Sequence, residues 1–160
     1  MREEAPEGYE NISAPFGLPP RHTREKMTPS DVYEYAVGRE TILVVDDERI
    51  IIEVTSEMLT EIGYNVLTAR SGEEALAVYG ENQGRIDLVI LDMIMPGMGG
   101  GATFDRLKAV NPDIKVILSS GYSINGQAGA IMARGGKAFL QKPYRLVDLS
   151  RKIREVLKNS

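Results

Sequence analysis

The stretch Leu88-Val89-Ile90-Leu91-Asp92-Met93-Ile94-Met95-Pro96-Gly97-Met98-Gly99-Gly100 decides how the rest of this chain is interpreted. Four consecutive apolar residues are typical of a strand that is buried on both faces. A single carboxylate, Asp92, follows them, and the chain then enters a turn rich in proline and glycine. Ligands bind outside the carboxyl ends of the strands in an open parallel sheet. Asp92 is therefore a candidate functional residue, although a lone aspartate there is equally compatible with a simple turn.

The composition of the 160-residue chain is that of an ordinary globular protein, with 42% apolar and 26% charged residues. A net charge of -4 offers no basic surface, so we expect no direct binding to nucleic acid. Cysteine is absent, which excludes disulfides, thiolate metal sites and cysteine nucleophiles. No apolar run approaches the roughly 18 residues of a membrane span, and the N-terminus lacks a signal-peptide core. We therefore expect a cytoplasmic protein without membrane contact.

The first 40 residues differ from the rest of the chain. They contain five of the eight prolines, mixed charges and few aliphatic side chains. Such a segment cannot bury enough apolar surface to offset the entropy lost on ordering. We predict that residues 1–40 are a flexible N-terminal extension or linker and that residues 41–159 form one domain.

Short apolar runs alternate with helix-like patterns throughout residues 41–159. Strands are predicted at residues 42–45, 65–69, 86–91, 114–118 and 138–141. Each is followed by apolar residues at helical spacing; the third helix, for example, carries Phe104, Leu107 and Val110 on its predicted core face. Strict alternation of this kind predicts an α/β fold, in which helices cover both faces of a parallel sheet.

Polar side chains follow four of these predicted strands. Asp46 and Asp47 end the first, Asp92 the third, Ser120 the fourth and Lys142 the fifth. Right-handed crossovers bring the carboxyl ends of parallel strands to one edge of the sheet, so we expect these side chains to meet. Clustered carboxylates repel one another unless a cation lies between them. Oxygen ligands of this kind suit Mg²⁺, and Mn²⁺ would fit the same set.

A carboxylate flanked by a divalent cation and an ammonium group can accept a phosphoryl group. In that chemistry Asp92 would be the nucleophile, Lys142 would pair with a phosphoryl oxygen, and Ser120 would donate a hydrogen bond to another. Gly121, which has no side chain, would leave room for the donor. Each residue alone fits a helix cap, a turn or a solvated lysine, so the hypothesis depends on their joint occurrence at four strand ends.

The motifs at these strand ends resemble the receiver domain of two-component response regulators, over residues 41–159. The matching segments are Val44-Val45-Asp46-Asp47-Glu48, Leu91 to Gly100, Leu118-Ser119-Ser120-Gly121-Tyr122 and Phe139-Leu140-Gln141-Lys142-Pro143. The resemblance implies a flavodoxin-like (βα)5 fold with a five-stranded parallel sheet of order 2-1-3-4-5. The segments Ser-Ser-Gly-Tyr-Ser and Gln-Lys-Pro-Tyr are more similar to those of receivers attached to hybrid histidine kinases than to those of DNA-binding regulators.

The resemblance also implies a set of site residues. Asp47 and Asp92 would bind the metal directly, Asp46 largely through water, and Met93 through its backbone carbonyl. Asp92 would be phosphorylated by a histidine kinase, a phosphotransfer protein or a small phosphodonor. The switch hydroxyl is assigned to Ser120 and not to the neighbouring serine, because Ser120 precedes the small residue Gly121 and lies the family's distance before Lys142 in the sequence.

Switching is also implied by the resemblance. The phosphoryl group would draw Ser120 towards it, and the aromatic ring of Phe139, three residues before Lys142, would turn inward. The surface formed by the fourth helix, fifth strand and last helix would then contact a downstream protein, or a second copy in a homodimer. The Lys142–Pro143 bond is expected to be cis. No effector domain follows the last helix in this sequence, so we expect output through protein contacts of the receiver or through the N-terminal extension.

Polar side chains at two positions near Asp92 could orient an attacking water molecule, and this sequence has Ile and Tyr there. Ile94 lies two residues after Asp92, and Tyr122 lies two residues after Ser120. An isoleucine cannot orient an attacking water molecule, so we predict a long-lived acyl phosphate.

Three other functions are weighed against the receiver. A phosphatase of the haloacid dehalogenase type needs a second aspartate where Ile94 stands. A nucleotide-binding module needs a glycine-rich loop where Asp46 and Asp47 stand. A phosphorylation-independent interaction domain would not need the acceptor set. The sequence thus favours a signalling receiver, which is not an enzyme in the ordinary sense.

Overall fold

The computed structural model describes residues 38–122 and 126–159. The predicted extension over residues 1–40 lies almost entirely outside them. Residues 38–40, however, pack onto the domain: Gly38 N donates to Ile62 O at 3.0 Å, and Glu40 O accepts from Asn65 N at 2.9 Å. The domain therefore begins slightly before the predicted boundary.

The described residues form one five-stranded parallel sheet with a helix after each strand, as predicted. The strands are β1 Thr41–Val45, β2 Asn65–Ala69, β3 Leu88–Asp92, β4 Val116–Ser120 and β5 Ala138–Gln141. The helices are α1 Arg49–Glu61, α2 Gly72–Glu81, α3 Gly100–Val110, α4 Gly126–Ala133 and α5 Leu146–Lys158. The strand order β2-β1-β3-β4-β5 confirms the predicted flavodoxin-like topology.

Two apolar cores lie on opposite faces of the sheet. Successive side chains of a strand point to opposite faces, and in β3 Leu88 and Ile90 enter the core that α1 and α5 cover. Val89 and Leu91 enter the core beneath α2, α3 and α4. Both faces are buried, which is why β3 is apolar without alternation.

The helix after β2 begins at a serine cap. The hydroxyl of Ser71 accepts a hydrogen bond from Glu74 N at 3.0 Å. This bond satisfies one of the free N–H groups of the first turn, while Glu73 and Glu74 lie near the positive end of the helix.

Two strands start later than predicted and extend to the polar residues at their carboxyl ends. β4 begins at Val116 because Ile114 N donates to Asn111 O in the turn after α3, at 3.1 Å, instead of joining the ladder. β3 likewise runs from Leu88 through Asp92. Val110, predicted on the core face of α3, is 49% exposed at the end of that helix, so that assignment was wrong.

No helix among the described residues is long and apolar enough to cross a membrane; α1 and α5, each of 13 residues, are the longest of them.

Candidate functional site

The polar residues predicted from the four strand ends meet at one edge of the sheet. An open cavity of about 520 Å³ lies there. It is lined by Asp47, Glu48, Asp92, Ile94, Ser120, Gly121, Tyr122 and Lys142. Residues from four separate parts of the chain therefore share one space, as the parallel topology predicts.

Three carboxylates form the acidic side of this site. Asp46, Asp47 and Asp92 each place an oxygen within 4.8 Å of the others. The side chain of Asp46 is 3% exposed and that of Asp92 is 6% exposed, whereas Asp47 is half-buried. Asp46 Oδ1 accepts a hydrogen bond from Glu48 N at 2.9 Å. This bond holds the carboxylate at the point where the chain turns into α1.

Lys142 supplies the positive charge. Its Nζ forms an ion pair with Asp46 and lies 3.3 Å from Asp92 Oδ1. Its backbone N donates to Ser120 O at 2.7 Å, which joins the end of β5 to the end of β4. The following Lys142–Pro143 peptide is cis, as predicted. The lysine thus lies across the acidic cluster, with Asp46 as its nearer partner.

The surroundings of Asp92 make its ionised form less favourable than that of a free aspartate. Burial raises the pKa of Asp92 from 3.8 to about 6, and the charge on Asp46 adds to this, while Lys142 opposes it. Burial alone would lower the pKa of Lys142, but its hydrogen bond to Asp46 and the charges of both aspartates raise it above the ordinary value. At neutral pH the buried cluster therefore holds an ionised Asp92 at an energetic cost, beside a protonated Lys142.

The side chains of the two adjacent serines at the end of β4 point to opposite faces of the sheet. Ser120 lines the cavity, and its hydroxyl accepts a hydrogen bond from Tyr122 N at 3.2 Å. Ser119 is paired with Asp92 in the ladder, and its carbonyl accepts from Met93 N at 2.9 Å. Ser120 is thus the serine that lies on the cavity, in the place predicted for the switch hydroxyl.

The loop after Asp92 differs from the prediction in one respect. The carbonyl of Met93, expected as a metal ligand, accepts a hydrogen bond from Gly100 N at 3.1 Å. Met93 is 5% exposed and belongs to the core beneath α2, α3 and α4. Ile94 instead lines the cavity, is 55% exposed, and donates its N–H weakly to Asp92 Oδ1 at 3.4 Å. The start of α3 therefore holds the Met93 carbonyl.

Phe139 lies outside this cavity, on β5. It is half-buried and packs against the core beneath α2, α3 and α4. It also borders a second cavity of about 350 Å³ between α4, β5 and α5, which Lys137, Lys152 and Glu155 line with it. The ring is thus between core and surface.

One buried contact near the site was not predicted. The hydroxyls of Thr55 in α1 and Tyr144, two residues after Lys142, lie 2.8 Å apart in a hydrogen bond. Tyr144 ends the Gln-Lys-Pro-Tyr segment, but its pairing with Thr55, 89 residues away, leaves no signal in a single sequence.

The fold and this cavity together define a flavodoxin-like α/β protein with an acidic, lysine-containing site at the carboxyl edge of its sheet. The model of the response regulator receiver domain matches residues 42–154, and the chain belongs to that family.

Relatives and solved structures agree with this assignment. The chain is 37% identical over 120 residues to the sensor kinase CckA of Brucella abortus, covering 75% of this chain and 13% of that protein. It is 31% identical over 120 residues to the probable transcriptional regulatory protein TcrX of Mycobacterium tuberculosis, covering 75% of this chain and 50% of that protein. The chain thus spans half or less of the length of these curated relatives.

Among solved structures, a receiver domain protein from Clostridium thermocellum is 35% identical with a TM-score of 0.72, covering 75% of this chain and 95% of that one. The response regulator protein TrrA of Thermotoga maritima, in complex with Mg²⁺–BeF, is 36% identical with a TM-score of 0.66, covering 74% of this chain and 99% of that one.

Proposed function

We propose that this receiver domain is a signalling switch that accepts a phosphoryl group on Asp92 from a histidine kinase or a phosphotransfer protein. The observation that carries the proposal is the position of Lys142 Nζ, 3.3 Å from Asp92 Oδ1 and beside two further carboxylates in one open cavity. A phosphoryl group entering that cavity would meet the nucleophile and the neutralising charge together.

The proposed step is a displacement at phosphorus. A carboxylate oxygen of Asp92 forms the new P–O bond, and the P–N bond to the donor histidine breaks. The electron pair of that bond goes to the imidazole nitrogen, which takes up a proton. With acetyl phosphate as donor, a P–O bond breaks and acetate leaves. Lys142 would leave Asp46 to pair with one phosphoryl oxygen. The hydroxyl of Ser120, which accepts from Tyr122 N in this structure, would turn to donate to a second phosphoryl oxygen.

The carboxylates fit a divalent cation such as Mg²⁺, or Mn²⁺ in its place. Their oxygens lie close enough to share one ion, and a cation would offset the cost of ionising Asp92, which arises first from burial and then from the charge of Asp46. We assign direct ligation to Asp47 and Asp92 and ligation largely through water to Asp46. Because Ile94 lines the cavity and the buried Met93 does not, we propose the carbonyl of Ile94 as the backbone ligand in place of that of Met93. The ion would supply charge neutralisation at the transferring phosphoryl group.

The output surface is proposed to be α4, β5 and α5. Phe139 borders the cavity between these elements and also reaches the core, so a change in its rotamer would alter the surface directly. A downstream protein, or a second copy in a homodimer, would bind there. We infer protein contacts, and not nucleic-acid contacts, because the whole chain, with a net charge of -4, has no excess of basic residues.

Incubation with acetyl phosphate and Mg²⁺, followed by intact-mass measurement, tests the proposal. The wild type is expected to gain one phosphoryl group, and Asp92→Asn none. Asp105→Asn is the matched control, because Asp105 is an exposed carboxylate in α3 that pairs with Arg134, directly after α4, and lies away from the cavity. An unmodified wild type, or modification that persists in Asp92→Asn, would contradict the proposal and favour an interaction domain that does not use phosphorylation.

A further inference from the structure

The turn that carries Lys142 is fastened to α1 by one hydrogen bond. The hydroxyls of Tyr144 and Thr55 lie 2.8 Å apart. Thr55 is 1% exposed in the middle of α1, and the ring of Tyr144 packs against the core that α1 and α5 cover. Burial raises the pKa of the Tyr144 hydroxyl, so it stays protonated and able to donate.

This bond joins the two sides of the phosphoacceptor site. α1 begins at Arg49, directly after the acidic residues Asp46 and Asp47, while Tyr144 follows Lys142 by two residues. A lysine side chain has several freely rotating bonds and loses considerable entropy when it is held in one place. Fixing its backbone against α1 reduces the range that the ammonium group can explore.

The space around this hydrogen bond leaves little room for a water molecule to replace either hydroxyl. A void of only about 30 Å³ lies between α1 and the turn, and its side chains are mostly apolar, including Ile51, Val54 and Met58. A water molecule needs two to four polar partners to be held in such a place. The direct contact between the hydroxyls is therefore the polar tie between the turn and the helix, beside the packing of the Tyr144 ring and an interaction of its hydroxyl with Ser119 of β4.

We propose that Tyr144 is a positioning residue, which through Thr55 holds Lys142 between Asp46 and Asp92 for phosphoryl transfer. The proposal rests on the function proposed above. Tyr144 does not line the acceptor cavity, so its effect would pass through the placement of Lys142. Misplacing a reacting group by a fraction of an ångström to an ångström costs up to about 100-fold in rate.

The test uses matched substitutions in the full chain and acetyl phosphate as the phosphodonor, at saturating Mg²⁺. Tyr144→Phe and Thr55→Val each remove one hydroxyl and keep the side-chain shape. Each is expected to lower the maximal phosphorylation rate constant about 5- to 10-fold, with the half-saturating donor concentration unchanged. The double variant should be no slower than the slower single variant, because both act through one bond. Thr55→Ser, which keeps the hydroxyl, should restore the rate to within about twofold.

Tyr79→Phe is the control for a purely structural loss. Tyr79 is 3% exposed, and its hydroxyl accepts a hydrogen bond from Asn111 at 2.9 Å, at the joint between α2 and α3. Its loss should lower stability by an amount similar to that of Tyr144→Phe and leave the rate constant unchanged. A wild-type rate constant in Tyr144→Phe, or single effects that multiply in the double variant, would overturn the proposal.

A second readout does not depend on phosphorylation. NMR relaxation of the ε-carbon of Lys142, assigned with Lys142→Arg, reports how tightly the side chain is held. Larger-amplitude motion in Tyr144→Phe than in Tyr79→Phe would support the proposal, and equal motion would refute it. If the wild type accepted no phosphoryl group, the proposed function would fail, while this measurement would still decide whether Tyr144 positions the lysine.

Discussion

Replacing Asp92 by asparagine is expected to stabilise the metal-free protein at neutral pH. The side chain of Asp92 is only 6% exposed, and burial together with Asp46 raises its pKa from 3.8 to about 6 despite the nearby Lys142. Its ionised form is thus disfavoured in the folded state. Asparagine keeps the shape of the side chain without the charge, and Lys142 keeps Asp46 as its ion-pair partner.

The magnitude follows from the linkage between proton binding and folding. Each tenfold change in proton affinity corresponds to about 1.4 kcal/mol, so ionising Asp92 above pH 7 costs the folded state about 3 kcal/mol. The folded pKa is raised, so the stability associated with protonated Asp92 is present at low pH and is lost as the pH rises from about 4 to about 6. The advantage of Asp92→Asn should therefore be about 3 kcal/mol at pH 7.5 and about 1 kcal/mol at pH 4.5.

Urea unfolding of both proteins in EDTA, at pH 7.5 and pH 4.5, measures these differences. Asp105→Asn should change stability by less than about 1 kcal/mol, because its ion pair with Arg134 is exposed. Mg²⁺ at about 100 times its dissociation constant should add about 2.7 kcal/mol to the wild type and close most of the gap. A variant no more stable than the wild type at pH 7.5, or a gap that stays the same at pH 4.5, would refute this account of the site.

Four further substitutions have defined outcomes. Ile94→Asn should shorten the lifetime of the acyl phosphate, because an amide can orient water where the exposed isoleucine lies. The lifetime is measured by intact mass, and a wild-type half-life of seconds would contradict the long-lived acyl phosphate predicted from Ile94. Phe139→Ala should leave phosphorylation nearly intact and weaken binding of the downstream partner, measured by calorimetry; unchanged binding would argue against its switch role. Gly100→Ala should cost about 1–3 kcal/mol in urea unfolding, because its Cβ would lie 2.6 Å from the carbonyl oxygen of Asp92. Gly80→Ala, whose Cβ meets nothing within 4 Å in α2, should instead stabilise by about 0.5–1 kcal/mol.

Much of the fold was predictable because its signals are local. Apolar runs separated by helical patterns predict a parallel sheet, and β2 and β5 have the predicted bounds. Strand starts were less accurate where a turn competes with the ladder. Ile114, for example, is buried like a strand residue, yet its N–H bonds to Asn111 in the turn.

The meeting of the site residues was also predictable, because topology alone brings strand ends together. Asp46, Asp92, Ser120 and Lys142 meet as expected, although no local pattern connects them. The resemblance assigned the switch hydroxyl to Ser120 from the small residue after it and its distance to Lys142. The structure places Ser120, and not Ser119, on the cavity, because successive side chains of β4 point to opposite faces; the switch role itself stays a prediction.

Periodicity and the handedness of crossovers were thus enough to predict the succession of strands and helices along the chain, and the edge of the sheet at which the polar residues meet. Which groups touch at that edge depends on the folded structure. It paired Lys142 with Asp46, engaged the Met93 carbonyl with Gly100 and joined Thr55 to Tyr144. Such contacts depend on the direction of individual side chains and carbonyl groups across distant segments. Packing sets those directions, and spacing along one chain does not record them.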